Sequence, residues 1–260
     1  MTGWLLRDGL RLALHDAGGG GMPVVLQHGL CGDARQTAEA MPQDPRFRRI
    51  TLDCRGHGGS ECGGDLSITT FAEDVAAMIE TLPGPVVLGG ISMGGAIALR
   101  LAVTRPDLVR ALVLIRPAWV TDAAPDNMAP NALVGRMIAA GQGASAFAET
   151  DMAQHLARTA PDNLGSLTGF FAREPLAQTA ALLQAISADG PGVTPAQVAA
   201  ITVPTLVCAT GRDHVHPAAH AGRLAALIGA RLVELPPKSS DKQGHFAALH
   251  AAMTAFLEEL

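Results

Sequence analysis

Short apolar runs alternate along this chain with stretches in which apolar residues return every three or four positions. Pro23-Val24-Val25-Leu26-Gln27, Arg49-Ile50-Thr51-Leu52, Pro85-Val86-Val87-Leu88, Ala111-Leu112-Val113-Leu114-Ile115, Pro204-Thr205-Leu206-Val207-Cys208 and Arg231-Leu232-Val233-Glu234 have the length and bounding residues of buried strands. Two further strands precede them, Leu5 to Arg7 and Leu10 to Leu14, joined at Asp8-Gly9, a dipeptide that tolerates the positive φ angles of a tight hairpin. Between the runs lie helical patterns. Phe71, Val75, Met78, Ile79 and Leu82 share one helical face, and Thr70 with Glu73 three residues on predicts a capping box at its start.

Strands that are apolar almost throughout, alternating with helices, imply a mostly parallel sheet covered on both faces, the α/β class. One stretch departs from the alternation. From Pro117 to Val203 no strand is evident, only Ala-rich helical segments broken by Pro125, Pro130, Pro161, Pro175 and Pro191. The expected organisation is therefore a core of residues 1–116 and 204–260 interrupted by a helical cap at 117–203.

Composition narrows the partners. A net charge of -5 offers no excess positive potential for a phosphate backbone or an anionic lipid surface, so nucleic acid and membrane are not expected partners. Near the start, Arg7, Asp8 and Arg11 interrupt the apolar stretch that an export signal requires, and the four cysteines are scattered without metal-like pairing. Both features predict a cytoplasmic protein with free thiols; a monomer or homodimer is expected.

The chemistry-bearing segment is Val86-Val87-Leu88-Gly89-Gly90-Ile91-Ser92-Met93-Gly94-Gly95-Ala96, a strand, a turn and a helix start with glycines two residues either side of Ser92. A serine lifted onto a sharp strand-to-helix turn brings the flanking backbone too close to its neighbours for side chains. Serine needs a base to act as a nucleophile. Of nine histidines His245 is the expected base, because Gly244-His245-Phe246 follows the last strand and opens a terminal helix carrying Leu249, Met253, Phe256 and Leu257. Asp213, in Gly211-Arg212-Asp213 after the preceding strand, is the expected acid that orients the histidine.

These motifs, together with His28-Gly29-Leu30-Cys31-Gly32 and Asp53-Cys54-Arg55-Gly56-His57-Gly58-Gly59-Ser60, resemble the α/β-hydrolase superfamily over nearly the whole chain outside the insertion. Within it the sequence looks most similar to small bacterial esterases and 3-oxoadipate enol-lactonase-like proteins. The resemblance implies an α/β-hydrolase fold with a mostly parallel eight-stranded sheet. It also implies an oxyanion hole from the N–H groups of Leu30 and Met93, and a structural role for His57. Serine at the turn, where haloalkane dehalogenases and related epoxide hydrolases have aspartate, implies acyl chemistry.

Hydrolysis of a small carboxylic ester or lactone without a cofactor is thus the expected activity. Acyl transfer or C–C bond hydrolysis would use the same triad, and a non-catalytic ligand-binding protein would keep the scaffold. Arg35, just after the oxyanion loop, and Arg116, just after a strand at the active edge, are candidate partners for a substrate carboxylate. Trp119 is a candidate lining residue. Two departures stand out. Asp213-His214-Val215-His216-Pro217 carries more histidines beside the acid than the family pattern leads one to expect, and Pro236 to Lys242 looks inserted ahead of His245. His214, His216 and His220 admit a metal-cluster reading, but no cysteine or carboxylate set completes it, so no metal is expected.

Overall fold

Asp8 and Gly9 take the positive φ angles of a two-residue hairpin, 52° and 79°, and fold Thr2–Arg7 (β1) back on Leu10–Asp16 (β2). The computed structural model describes residues 2–260. After the hairpin, strand and helix alternate: Met22–Gln27 (β3), Ala34–Ala40 (α1), Phe47–Leu52 (β4), Ile68–Ile79 (α2), Val86–Ile91 (β5), Met93–Thr104 (α3) and Val109–Ile115 (β6). Six helices follow with no strand among them: Ala129–Ala139 (α4), Ala144–Ala148 (α5), Asp151–Thr159 (α6), Pro161–Gly169 (α7), Leu176–Ser187 (α8) and Pro195–Ala199 (α9). The chain then returns through Thr205–Thr210 (β7), Ala218–Ile228 (α10), Arg231–Leu235 (β8) and Lys242–Glu258 (α11).

All eight strands join one sheet in the order β1-β2-β4-β3-β5-β6-β7-β8, antiparallel where β2 meets β1 and β4 and parallel elsewhere. Because side chains alternate along a strand, each parallel strand feeds two cores. Val25, Leu88, Leu112, Leu114 and Val207 point into one with α2, α3 and α10, while Val24, Leu26, Val87, Val113 and Cys208 point into the other with α11. On α11 the buried residues Leu249, Met253, Phe256 and Leu257 close that second face. At about 1.5–3 kcal/mol for each large apolar side chain buried, those four explain why the helix docks.

The start of α2 differs from the sequence expectation. Ser67, not Thr70, is the N-cap, and it accepts a hydrogen bond from the Thr70 N–H. Asp189 reaches across from beyond α8 to accept from the Ile68 N–H, which satisfies a further free donor of that first turn. A long-range partner of this kind leaves no local signal, so the capping box three residues downstream was the nearer reading. Among the described residues no helix is long and apolar enough to cross a membrane.

Candidate active site

β5 ends at Ile91 and α3 begins at Met93, so Ser92 alone makes the turn, at φ 55° and ψ -112°. A left-handed φ at a non-glycine residue costs about 1–3 kcal/mol and persists only where the surroundings enforce it. Here the surroundings are backbone. A Cβ on Gly90 would stand 2.0 Å from the Gly94 carbonyl carbon, and one on Gly94 would stand 2.3 Å from the Gln27 carbonyl oxygen. The glycine spacing noted in the sequence is thus a packing requirement of β3 and β5 against the first turn of α3. Among the described residues, the backbone N–H groups of Met93 and Leu30 have no protein acceptor, which leaves them available to an oxygen beside Ser92.

Sheet register decides what meets the serine. Ile91 pairs with Ile115, and Ile115 with Cys208, so the carboxyl ends of β5, β6 and β7 lie side by side. Ser92 therefore faces Arg116 after β6 and the 211–217 loop after β7. From that loop His216 Nε2 lies 2.8 Å from Ser92 Oγ, and His216 Nδ1 lies 2.9 and 3.0 Å from the two oxygens of Asp213. An ionised carboxylate only accepts, so Nδ1 carries the proton and Nε2 is left bare to accept from the serine hydroxyl.

Asp213 is densely held. Its carboxylate accepts from Arg116 Nε (2.9 Å) and Nη2 (2.5 Å), from Asn163 Nδ2 (2.9 Å) and from the His216 N–H (3.0 Å). Burial pushes its carboxyl upward, but His216, Arg116 and Asn163 together outweigh that and hold it far below the usual carboxylate range. His216 shifts down: burial is the main cause, opposed by Asp213 and reinforced by the positive charge of Arg116. The histidine is consequently neutral near pH 7, the form that can take a proton. Asn163 Oδ1 also accepts from the N–H groups of His214 and Val215, so α7 fixes the loop that carries both groups.

Ser92 and His216 open on a cavity of about 380 Å³ that also touches Gly29, Leu30, Asn131 and Arg173. A larger hollow of about 620 Å³ lies beyond Arg173, lined by Asp33, Arg35 and Asp53, and does not reach the serine. Of the two, the smaller contains the bonded serine and histidine.

A family model described as the alpha/beta hydrolase family matches residues 21–259. The chain belongs to that family. Over 121 residues, 45% of the chain, it is 36% identical to the sn-1-specific diacylglycerol lipase ABHD11 of Mus musculus, and this stretch spans 38% of the lipase. The enol-lactonase of Burkholderia xenovorans is 25% identical, with a TM-score of 0.72 over 98% of this chain and 100% of that one. An esterase of Thermogutta terrifontis, 24% identical with a TM-score of 0.72 over 99% and 96% of the two chains, shares the fold.

For this alpha/beta hydrolase family member the structure corrects several sequence expectations. His245, the expected base, makes no hydrogen bond to Ser92. Asp241 caps α11 by accepting from the Gly244 N–H, which fixes His245 in the first helical turn, and the His245 Nδ1 donates to the Pro236 carbonyl at 2.8 Å. The ring borders a separate cavity of about 20 Å³ together with Lys238 and Arg116. Arg116 holds Asp213 rather than standing free for a substrate carboxylate. Arg35 is an exposed side chain paired with Asp33 and lies in the larger hollow. Trp119 is fully buried in the core, its indole N–H donating to the Asp189 carbonyl.

His216 is the residue that sequence reasoning passed over. Its signal was present as an excess of histidines beside Asp213, with an i, i+3 spacing that one loop can close. The three histidines of that stretch do not converge: His214 packs edge-on against His155, and His220 Nδ1 bonds to the Ala118 carbonyl. Asn163 and Arg173 carried no local signal. The remaining motif histidines are structural in their contacts, His28 donating to the Gly29 carbonyl and accepting from the Cys54 N–H, and His57 lying against His28 and Phe71.

Proposed function

We propose that this chain hydrolyses small carboxylic esters or lactones through an acyl-enzyme, with Ser92 as nucleophile, His216 as base and Asp213 as the acid that orients it. His216 Nε2 takes the Ser92 proton as Oγ attacks the substrate carbonyl. The oxyanion that forms accepts from the N–H groups of Leu30 and Met93. Collapse of the tetrahedral species breaks the ester C–O bond, and His216 returns the proton to the leaving alkoxide. Water then repeats the sequence on the acyl-enzyme, and the carboxylic acid leaves. Residues 117–203 act as a cap over this site, a reading supported by Asn131, Asn163 and Arg173 on the cavity wall.

The observation that carries the proposal is the unbroken chain from Ser92 Oγ through His216 to Asp213, at 2.8 and 2.9 Å. Relatives named as an esterase and an enol-lactonase support ester chemistry over other uses of the fold.

Turnover of short p-nitrophenyl esters by Ser92→Ala, His216→Ala and His245→Ala variants tests it, alongside labelling of Ser92 by a fluorophosphonate. Loss of the base lowers kcat by about 10²- to 10⁴-fold. The expected result is that His216→Ala suffers this loss and His245→Ala stays within about one order of magnitude of wild type. Full activity in His216→Ala with a collapse in His245→Ala would refute the assignment of the base, and turnover by Ser92→Ala would refute the mechanism.

A further inference from the structure

Among the described residues Arg173 is a cation without a bonded carboxylate. It follows a 3₁₀ turn, Phe170–Ala172, and its guanidinium donates to the Cys31 carbonyl from Nε (3.1 Å), to Thr179 Oγ1 from Nη1 (2.8 Å) and to the Gly56 carbonyl from Nη2 (3.1 Å). All three acceptors are neutral. Among the described residues no carboxylate bonds to it, and no aspartate or glutamate lines the cavity it shares with Ser92. On its other side the acids of the larger hollow are engaged elsewhere. Asp33 pairs with Arg35, Asp53 accepts from Ala34, Gly59 and His15, and the exposed Glu174 accepts from the Leu176 N–H. A guanidinium has five N–H donors, so two of Arg173 remain after its three bonds.

A second, independent observation points into the same space. Asn131, on α4, is 6% exposed, borders the cavity and has a buried Oδ1 without a partner. Burying an amide unpaired is unfavourable, and so is a half-enclosed cation with no anion beside it. The first deficit disappears if a ligand brings an anionic group to the guanidinium, and the second if that ligand also brings an N–H or O–H donor to the Asn131 oxygen, which only accepts. The cavity is near the lower end of the range for small-molecule sites, about 300–1,000 Å³, so the ligand is short.

We propose that the acyl part of the substrate carries its own carboxylate, held by Arg173, so that the preferred substrates are half-esters or lactone acids of short dicarboxylic acids. This rests on the serine-hydrolase reading above and adds the substrate class. Arg173 also bonds to the carbonyl of Cys31, next to Leu30, so a purely structural role, tying the oxyanion loop to the helical segment, must be separated from recognition.

Wild type is assayed with the p-nitrophenyl half-ester of glutaric acid and with the methyl ester of that compound, which has the same shape without the charge. The expected wild-type preference is about 10-fold or more in kcat/KM for the charged ester, chiefly through KM. Arg173→Gln lowers the charged ester by about 10- to 100-fold, the range expected for losing a charge-assisted pair, and the neutral one by less than about 3-fold. Asn131→Asp, which introduces a negative charge on the same wall, likewise selects against the charged ester and decides the matter if Arg173→Gln does not fold.

Equal losses on both esters would make Arg173 a loop tie only, and a wild-type preference for the neutral ester would overturn the proposal outright. Binding is read separately: glutarate raises Tm in wild type and not in Arg173→Gln, while glutaramide raises it in neither protein. If Ser92 is unreactive and neither ester turns over, the hydrolase reading fails, and the glutarate response still reports on the Arg173 site by itself.

Discussion

Replacing Arg116 by glutamine tests the electrostatics of the proposed triad. Arg116 Nη2 lies 3.1 Å from His216 Nδ1, and the same guanidinium grips Asp213 at 2.5 and 2.9 Å, with the two side chains 13% and 3% exposed. Two unit charges about 4 Å apart interact by about 1 kcal/mol in water and about 4 kcal/mol at an effective dielectric of 20. The positive charge of Arg116 therefore disfavours the imidazolium and offsets part of the support that Asp213 gives it. Its removal makes His216 easier to protonate. The base works only when neutral, so the acid limb of the kcat/KM profile moves to higher pH, by about one pH unit if the water-like value holds, since about 1.4 kcal/mol corresponds to one unit. Glutamine keeps a donor for Asp213, and circular dichroism checks that the variant is folded. The profile is measured with a neutral ester from pH 4.5 to 9. An acid limb that stays in place or moves to lower pH would show that the titrating base does not sit beside Arg116, and would count against His216.

Two further outcomes concern the scaffold. Gly94→Ala forces a Cβ to within 2.3 Å of the Gln27 carbonyl oxygen and 2.6 Å of its carbon, so β3 and α3 must part; a loss of about 1–3 kcal/mol in urea unfolding and a fall in ester turnover are expected, and wild-type values for both would refute the packing account of the turn. Stability should also fall as pH drops below about 6.5: His28, His57 and His216 all have lowered pKa values, caused first by burial, so the unfolded chain binds protons that the folded one does not. Each contributes up to about 1.4 kcal/mol of lost stability per pH unit between its unfolded and folded values, and urea midpoints that do not change between pH 7.5 and 5.5 would contradict neutral burial of these rings.

The fold was legible because its signals are local. Each parallel strand is a short apolar run, the Asp8-Gly9 hairpin announces its own turn, and the glycines at 90 and 94 mark a sharp strand-to-helix turn within eleven residues, although the backbone that Gly94 must clear, at Gln27, belongs to β3. The site was only half legible for the opposite reason. Ser92 and Asp213 sit on loops whose place at the sheet edge follows from strand order. Which histidine reaches the serine depends on where α11 starts, and that is fixed by Asp241 capping the Gly244 N–H and by the Pro236 carbonyl holding the ring. Arg116 was recognised as a cation at the active edge, yet its partner comes from another loop of the sheet. Asn163 and Arg173 belong to the helical segment, whose docking no periodicity encodes.

Placing the proposed acid and base on one loop carries a mechanical consequence. Asp213 and His216 are three residues apart, so their mutual geometry is set by local backbone, with the His216 N–H bonding to the very carboxylate that its ring engages. The variable distance is from that loop to Ser92. It is governed by the register of β5, β6 and β7 and by two asparagines from the helical segment, Asn163 on the N–H groups of His214 and Val215 and Asn127 on the carbonyl of Val215. The same segment supplies Arg173 and Asn131 to the cavity wall. A shift of these helices would therefore alter the proposed substrate recognition and the approach of the proposed base to the serine together, which couples the two through contacts added to those of the core strands.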